Sequence, residues 1–257
     1  FPPFLPPLFH PPPPNLSARV PAARQGGGCG PWTENTATTV AWRDAGPAGP
    51  ALYGAFLDSS CNPPANGTSL VTLIISFNWP VMAAALPWAQ PGGGLRWRGT
   101  LTAPLGARAT HAEAVYSTTS FILRHAASGH ALWYETTFYD YQRPIADALF
   151  IDTFSHMPII HGAPHGAAAP SRYSTQARGS ANCSSAPWTA PATFDFVITA
   201  ANLERGLADA NAKFQLNLPQ SAAGWSVIHV NVELEATLGA AGAITLSDWS
   251  VSLTQTQ

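Results

Sequence analysis

Period-two alternation, repeated along the chain and cut by proline and glycine, limits what this sequence can fold into. In SVIHVNVELEATL (226–238), Ile228, Val230, Val232 and Leu234 alternate with His229, Asn231, Glu233 and Glu235. Successive strand side chains point to opposite faces, so such a run buries one face and presents the other. Similar runs are VTLIISFNW (71–79), LRWRGTL (95–101), HAEAVYSTTSFIL (111–123), ALWYETTFYDY (131–141), LFIDTF (149–154), TFDFVIT (193–199), KFQLNL (213–218) and ITLSDWSVSL (244–253). In KFQLNL, the alternation sends Phe214, Leu216 and Leu218 inward. A short Ser-Gly turn joins 111–123 to 131–141 as a hairpin. GGG at 92–94 reads as a turn and HGAPHGAAAP (161–170) as a loop. One helix is predicted over 201–212, where Leu203 and Leu207 stand at i, i+4 despite Gly206. The pattern predicts an all-β, antiparallel, jelly-roll-like β-sandwich over residues 29–257 with one short helix.

The first fourteen residues, FPPFLPPLFHPPPP, cannot join a sheet interior or a helix. Proline fixes φ and donates no backbone hydrogen bond, which predicts an extended polyproline-II arm. Phe1, Phe4, Leu5, Leu8 and Phe9 make that arm apolar, whereas a free linker would be polar. Residues 1–28 are therefore read as an arm and glycine hinge that docks on a protein surface, its own domain or a neighbouring copy.

Hydrophobic residues make up 46% of the 257 and charged residues only 10%, with Thr, Ser, Asn, Gly and Pro supplying polarity. That is the profile of a secreted, extracellular β protein, well below the usual charged share of soluble domains. A formal net charge of −2 with no basic run argues against nucleic acid as a partner. No apolar run is long enough to predict a membrane span. Cys29, Cys61 and Cys183 permit one disulfide. Cys29 with Cys61 is the most local pairing, and Cys183 could pair with either or with another chain. Asn15, Asn66 and Asn182 each open an Asn-x-Ser/Thr sequon in a predicted loop or arm.

Three sets of side chains are candidates for chemistry. Glu233 and Glu235 share a strand face about 7 Å apart along the chain. That spacing is permissive for the acid and nucleophile of a glycosidase, and it is also what a solvated outer face looks like. Trp133, Glu135, Tyr139 and Tyr141 share one face of the run 131–141, a strip on which sugar rings could stack; the bland reading is burial under a second layer. His156, His161 and His165 lie close in sequence, with Asp152 upstream, but their spacing matches no zinc motif. No metal and no cofactor are expected, and no nucleophile elbow or phosphate-binding glycine loop is present.

The uninterrupted prolines Pro11, Pro12, Pro13 and Pro14 resemble the contiguous prolines of hydroxyproline-rich extracellular glycoproteins of plants and green algae. The resemblance covers the arm alone. It implies hydroxylated, glycan-bearing prolines and a role in walls or fibrous coats. The sequence thus favours a glycosylated structural subunit that assembles head-to-tail, its arm docked onto another copy of itself. The alternative is a secreted carbohydrate-binding protein or glycoside hydrolase with a jelly-roll fold.

Overall fold

The computed structural model describes residues 38–44, 52–58, 70–78, 86–102, 115–140, 145–153, 155–163, 170–184, 190–237 and 241–255. The arm, its five apolar anchors, Pro11–Pro14, Asn15, Cys29, Cys61, Asn66, Tyr141 and His165 lie outside the described residues.

Twelve strands are described: β1 Thr38–Asp44, β2 Leu52–Asp58, β3 Leu70–Asn78, β4 Gly93–Thr102, β5 Val115–His125, β6 Ala131–Asp140, β7 Ala148–Ile151, β8 Pro158–Gly162, β9 Thr175–Gln176, β10 Ala192–Thr199, β11 Trp225–Thr237 and β12 Ala241–Gln255. They form two six-stranded sheets, β1-β2-β12-β4-β10-β9 and β3-β11-β5-β6-β8-β7. This is the jelly-roll-like sandwich expected from the alternation. Among the described residues a single α-helix, α1 (Ala200–Phe214), leaves β10 of one sheet and leads to β11 of the other. Among the described residues no helix is long and apolar enough to cross a membrane.

Between the sheets, Trp97 of β4 lies 4.8 Å from the Phe138 ring and stacks on Phe196 at 5.6 Å, with Phe194 4.8 Å from Phe138. All four are fully buried. Removing each such side chain from water is worth roughly 1.5–3 kcal/mol. Gly99 makes this packing possible, because a Cβ there would stand 2.7 Å from the Trp97 ring and 2.9 Å from Leu246.

The helix starts at Thr199, whose hydroxyl accepts from Asn202 N at 3.1 Å while Asn202 Oδ1 accepts from Thr199 N at 3.1 Å. This reciprocal cap satisfies two otherwise orphaned donors. Leu203, Gly206, Leu207 and Ala210 form its buried face. The helix extends through Lys213 and Phe214, so KFQLNL is not a strand. Phe214 continues the helical spacing of Leu203, Leu207 and Ala210, and this outweighs the two-residue alternation of the segment. Gln215 then turns left-handed at φ 56 and ends the helix. Leu218 is buried, its N and O held by the Asn211 amide at 2.8 and 2.9 Å.

Three other details depart from the sequence reading. Gly93 and Gly94 begin β4, and only Gly92 turns, at φ 71. His161 and Gly162 belong to β8 rather than to a loop. The second sheet is also not wholly antiparallel, since β6 and β8 run parallel. After β6 the chain reaches the outermost position as β7, reverses, and returns between β7 and β6 as β8. Two reversals bring β8 back to the direction of β6.

Candidate active site

The face of the second sheet that points away from the core carries the polar half of each alternation. Its register defines four rows. His229, Ile122, Trp133, Ile159 and Phe150 are mutual neighbours across β11, β5, β6, β8 and β7. The next row is Asn231, Ser120, Glu135, His161 and Ala148. Glu233, Thr118 and Thr137 follow, and then Glu235 beside Tyr116.

Glu233 is not solvated, being 3% exposed. Ser120 Oγ donates to its Oε1 at 2.5 Å and Thr118 Oγ1 to its Oε2 at 3.3 Å. Both donors come from β5, so the Glu233 carboxylate leans over β5 toward β6. Asn231 Nδ2 completes the cluster by donating to Ser120 Oγ at 3.1 Å. Burial raises the pKa of Glu233, while hydrogen bonds from Ser120, Thr118 and Asn231 to its ionised form pull it back.

Glu135 approaches from the other side of β5, as the register partner of Ser120. It is half-buried. Its pKa is raised to about 8, chiefly by desolvation, then by the charges of Glu233 and Asp152. Glu135 is therefore a protonated acid at neutral pH. Glu233 and Glu135 stand on β11 and β6 with only β5 between them, and the charge of Glu233 acts on Glu135. One has hydrogen bonds that favour the carboxylate, and the other has surroundings that favour the acid. Such a split of roles between paired carboxyls is the basis of acid and nucleophile assignment.

Glu235 shares the face with Glu233 as the alternation requires, but its carboxylate is taken by the Tyr116 hydroxyl. The partner that the sheet brings to Glu233 is Glu135, which the sequence groups with the aromatic strip. The two lie on strands that do not touch, and only the position of β5 between them shows the pairing. Trp133 and Glu135 stay on one face. Tyr139 does not, because the β5–β6 register slips between Ser117 and Thr118 and a bulge opposes Thr137, Phe138 and Tyr139 to them. Tyr139 accordingly joins the core cluster at 4% exposure. The bland reading of this strand as buried on both faces holds for Tyr139 and Thr137 but not for Glu135.

The histidines do not converge. His161 is buried in β8, with Nε2 2.7 Å from Thr137 Oγ1 and Nδ1 3.0 Å from Ala146 O. His156 is exposed in the β7–β8 turn at φ 58. Among the described residues no three His, Cys, Asp or Glu side chains gather within reach of one metal ion. Cys183 is half-buried, its Sγ 2.9 Å from Thr137 O, and burial pushes its thiol up to about 12. Asn182 is exposed beside it, as a glycosylation acceptor must be.

Three buried polar atoms of this face have no hydrogen-bond partner among the described residues: Trp133 Nε1, His229 Nδ1 and Asn231 Oδ1. Trp133 and His229 belong to the row beside Ser120 and Glu135, and Asn231 to the row of Ser120 and Glu135 itself.

The sequence matches no protein-family model and no curated protein. Solved structures with a similar fold include a family 12 xyloglucanase from Bacillus licheniformis, at TM-score 0.44 and 11% identity over 86% of this chain and 88% of that one. The family 11 xylanase from Neocallimastix patriciarum gives TM-score 0.40 and 9% identity over 85% and 92%. A cellulase derived from that of Rhodothermus marinus gives 0.36 and 14% over 85% and 100%. At these TM-scores the likeness bears on neither the site nor its chemistry.

Proposed function

We propose that this protein is a retaining glycoside hydrolase with Glu135 as general acid and Glu233 as nucleophile. The observation that carries the reading is the placing of these two carboxyls on either side of β5, Glu233 accepting hydrogen bonds from Ser120 and Thr118 that favour its carboxylate and Glu135 pushed toward its protonated form. In the first step, the Glu135 carboxyl gives its proton to the glycosidic oxygen as the C1–O bond breaks. The Glu233 carboxylate forms an ester bond to C1. In the second, Glu135, now a carboxylate, takes a proton from water; the water oxygen bonds to C1 and releases Glu233. Retaining enzymes hold their two carboxyls about 5–5.5 Å apart, a separation that side chains reaching toward each other over β5 would have to meet. Trp133 offers a face for a sugar ring, and its Nε1, His229 Nδ1 and Asn231 Oδ1 are unspent partners for hydroxyls.

Head-to-tail assembly turns on residues 1–28, which lie outside the described residues. The glycan reading has named side chains to support it and is preferred. Xylan, xyloglucan and cellulose, on which the proteins named above act, supply the first probes. Reducing ends should accumulate with the purified protein and not with Glu233→Gln, and proton NMR should find the first-formed product with its anomeric configuration retained. Inversion would remove Glu233 as nucleophile. No cleavage across a wide panel of neutral glycans would remove the reading.

A further inference from the structure

His161 faces the flank of Glu135 that β5 leaves open. It is the register partner of Glu135 across the parallel β6–β8 pair, so the two side chains stand on one face a strand spacing apart. Its ring reaches along β6 to Thr137 Oγ1 at 2.7 Å, and its other nitrogen is tied to Ala146 O at 3.0 Å. A carbonyl only accepts, so Nδ1 carries the proton toward Ala146, and the neutral ring accepts from the Thr137 hydroxyl at Nε2. Both ring nitrogens are thereby spent within the protein. On its far side lies the half-exposed Phe150 ring, 6.1 Å away. We infer that His161 is a positioning residue for Glu135: fixed by Thr137 and Ala146, its uncharged ring occupies the β8 flank of the carboxyl and keeps water and cations from that side. The inference rests on the reading of Glu135 as the acid.

The charged groups around this pair fit the role. Glu135 is faced by Glu233 from β11 and by Asp152 from the β7–β8 turn, both of which favour its protonated form. His161 is faced by Asp147 and Asp140, which favour the imidazolium, yet burial outweighs them and its pKa is lowered. The ring beside Glu135 therefore stays neutral where the acid must hold its proton.

The test is a 13C NMR titration of Glu side-chain carboxyls in the full chain, with Glu135 assigned from Glu135→Gln. His161→Ala should admit water and move the Glu135 titration to lower pH by about 1–2 units. His161→Gln, uncharged and still able to bond Thr137, should restore it. Thr137→Val, which keeps its shape and loses the hydroxyl, should move it in the same direction as His161→Ala and serves if that variant does not fold. An unmoved Glu135 titration in His161→Ala or Thr137→Val, or no restoration by His161→Gln, overturns the inference. The titration is read on the free protein and needs no glycan to be cleaved, whereas cleavage itself is tested by the hydrolysis assay, so the two failures are distinguishable.

Discussion

Glu135→Gln should make the protein more resistant to unfolding at mildly alkaline pH, even as it removes the proposed acid. The folded protein holds the Glu135 proton up to about pH 8, while an unfolded chain releases it near the ordinary value of 4.5. Between these values the native state binds the extra proton, so stability is full below 4.5 and falls as pH rises through the folded value. The loss is about 1.4 kcal/mol per pH unit across the window, or about 5 kcal/mol in all, with about 3–4 kcal/mol of it between pH 5 and pH 8. Water reaching the half-buried carboxyl makes this an upper figure. Glutamine has the same shape and no proton to lose, so the variant escapes this contribution. Urea denaturation of wild type and Glu135→Gln at both pH values measures it directly. The stability difference, variant minus wild type, should grow by a few kcal/mol on going from pH 5 to pH 8. Equal differences at the two pH values would mean that Glu135 titrates as an ordinary surface carboxyl, and its assignment as the acid would fall with it.

Other predictions concern single contacts. On an activated aryl glycoside, whose leaving group needs little protonation, Glu135→Gln should lose far less kcat than on an unactivated glycan, where the loss should be about 10²–10⁴-fold; equal losses on both would argue against an acid role. Gly206→Ala places a Cβ 2.7 Å from Ile160 Cγ2 and should lower stability by about 1–3 kcal/mol in denaturant titrations. Thr199→Ala removes the helix cap and should cost about 1 kcal/mol, read from the same titrations, with Thr199→Ser nearly neutral.

The faces of the strands were legible in the sequence, because a two-residue period needs no tertiary information. It assigned His229, Asn231, Glu233 and Glu235 to one side of β11, and that is where they stand. Strand order was not legible. Glu135 and Glu233 are far apart in sequence, and nothing local states that β5 runs between their strands. Bulges also defeat the count, which is why Tyr139 was placed on the wrong face. PIIHG carries a proline and a glycine and so reads as a loop boundary, yet it pairs on both sides as β8. In KFQLNL, two periodicities overlap, and tertiary packing of Phe214 with the helix decides between them.

The bulge at Thr137, Phe138 and Tyr139 gives β6 something like a reading frame. Ahead of it, odd-numbered positions look outward and even-numbered ones inward; past it, that parity is exchanged. A deletion of one codon there would leave the composition almost untouched while turning one end of the strand inside out, exposing Tyr139 or drawing Glu135 into the aromatic core. Length variation in this strand should be tolerated only when it preserves parity. The irregularity that spoils the alternation in the sequence is thus what allows a fully packed core and an acid to share one ten-residue strand.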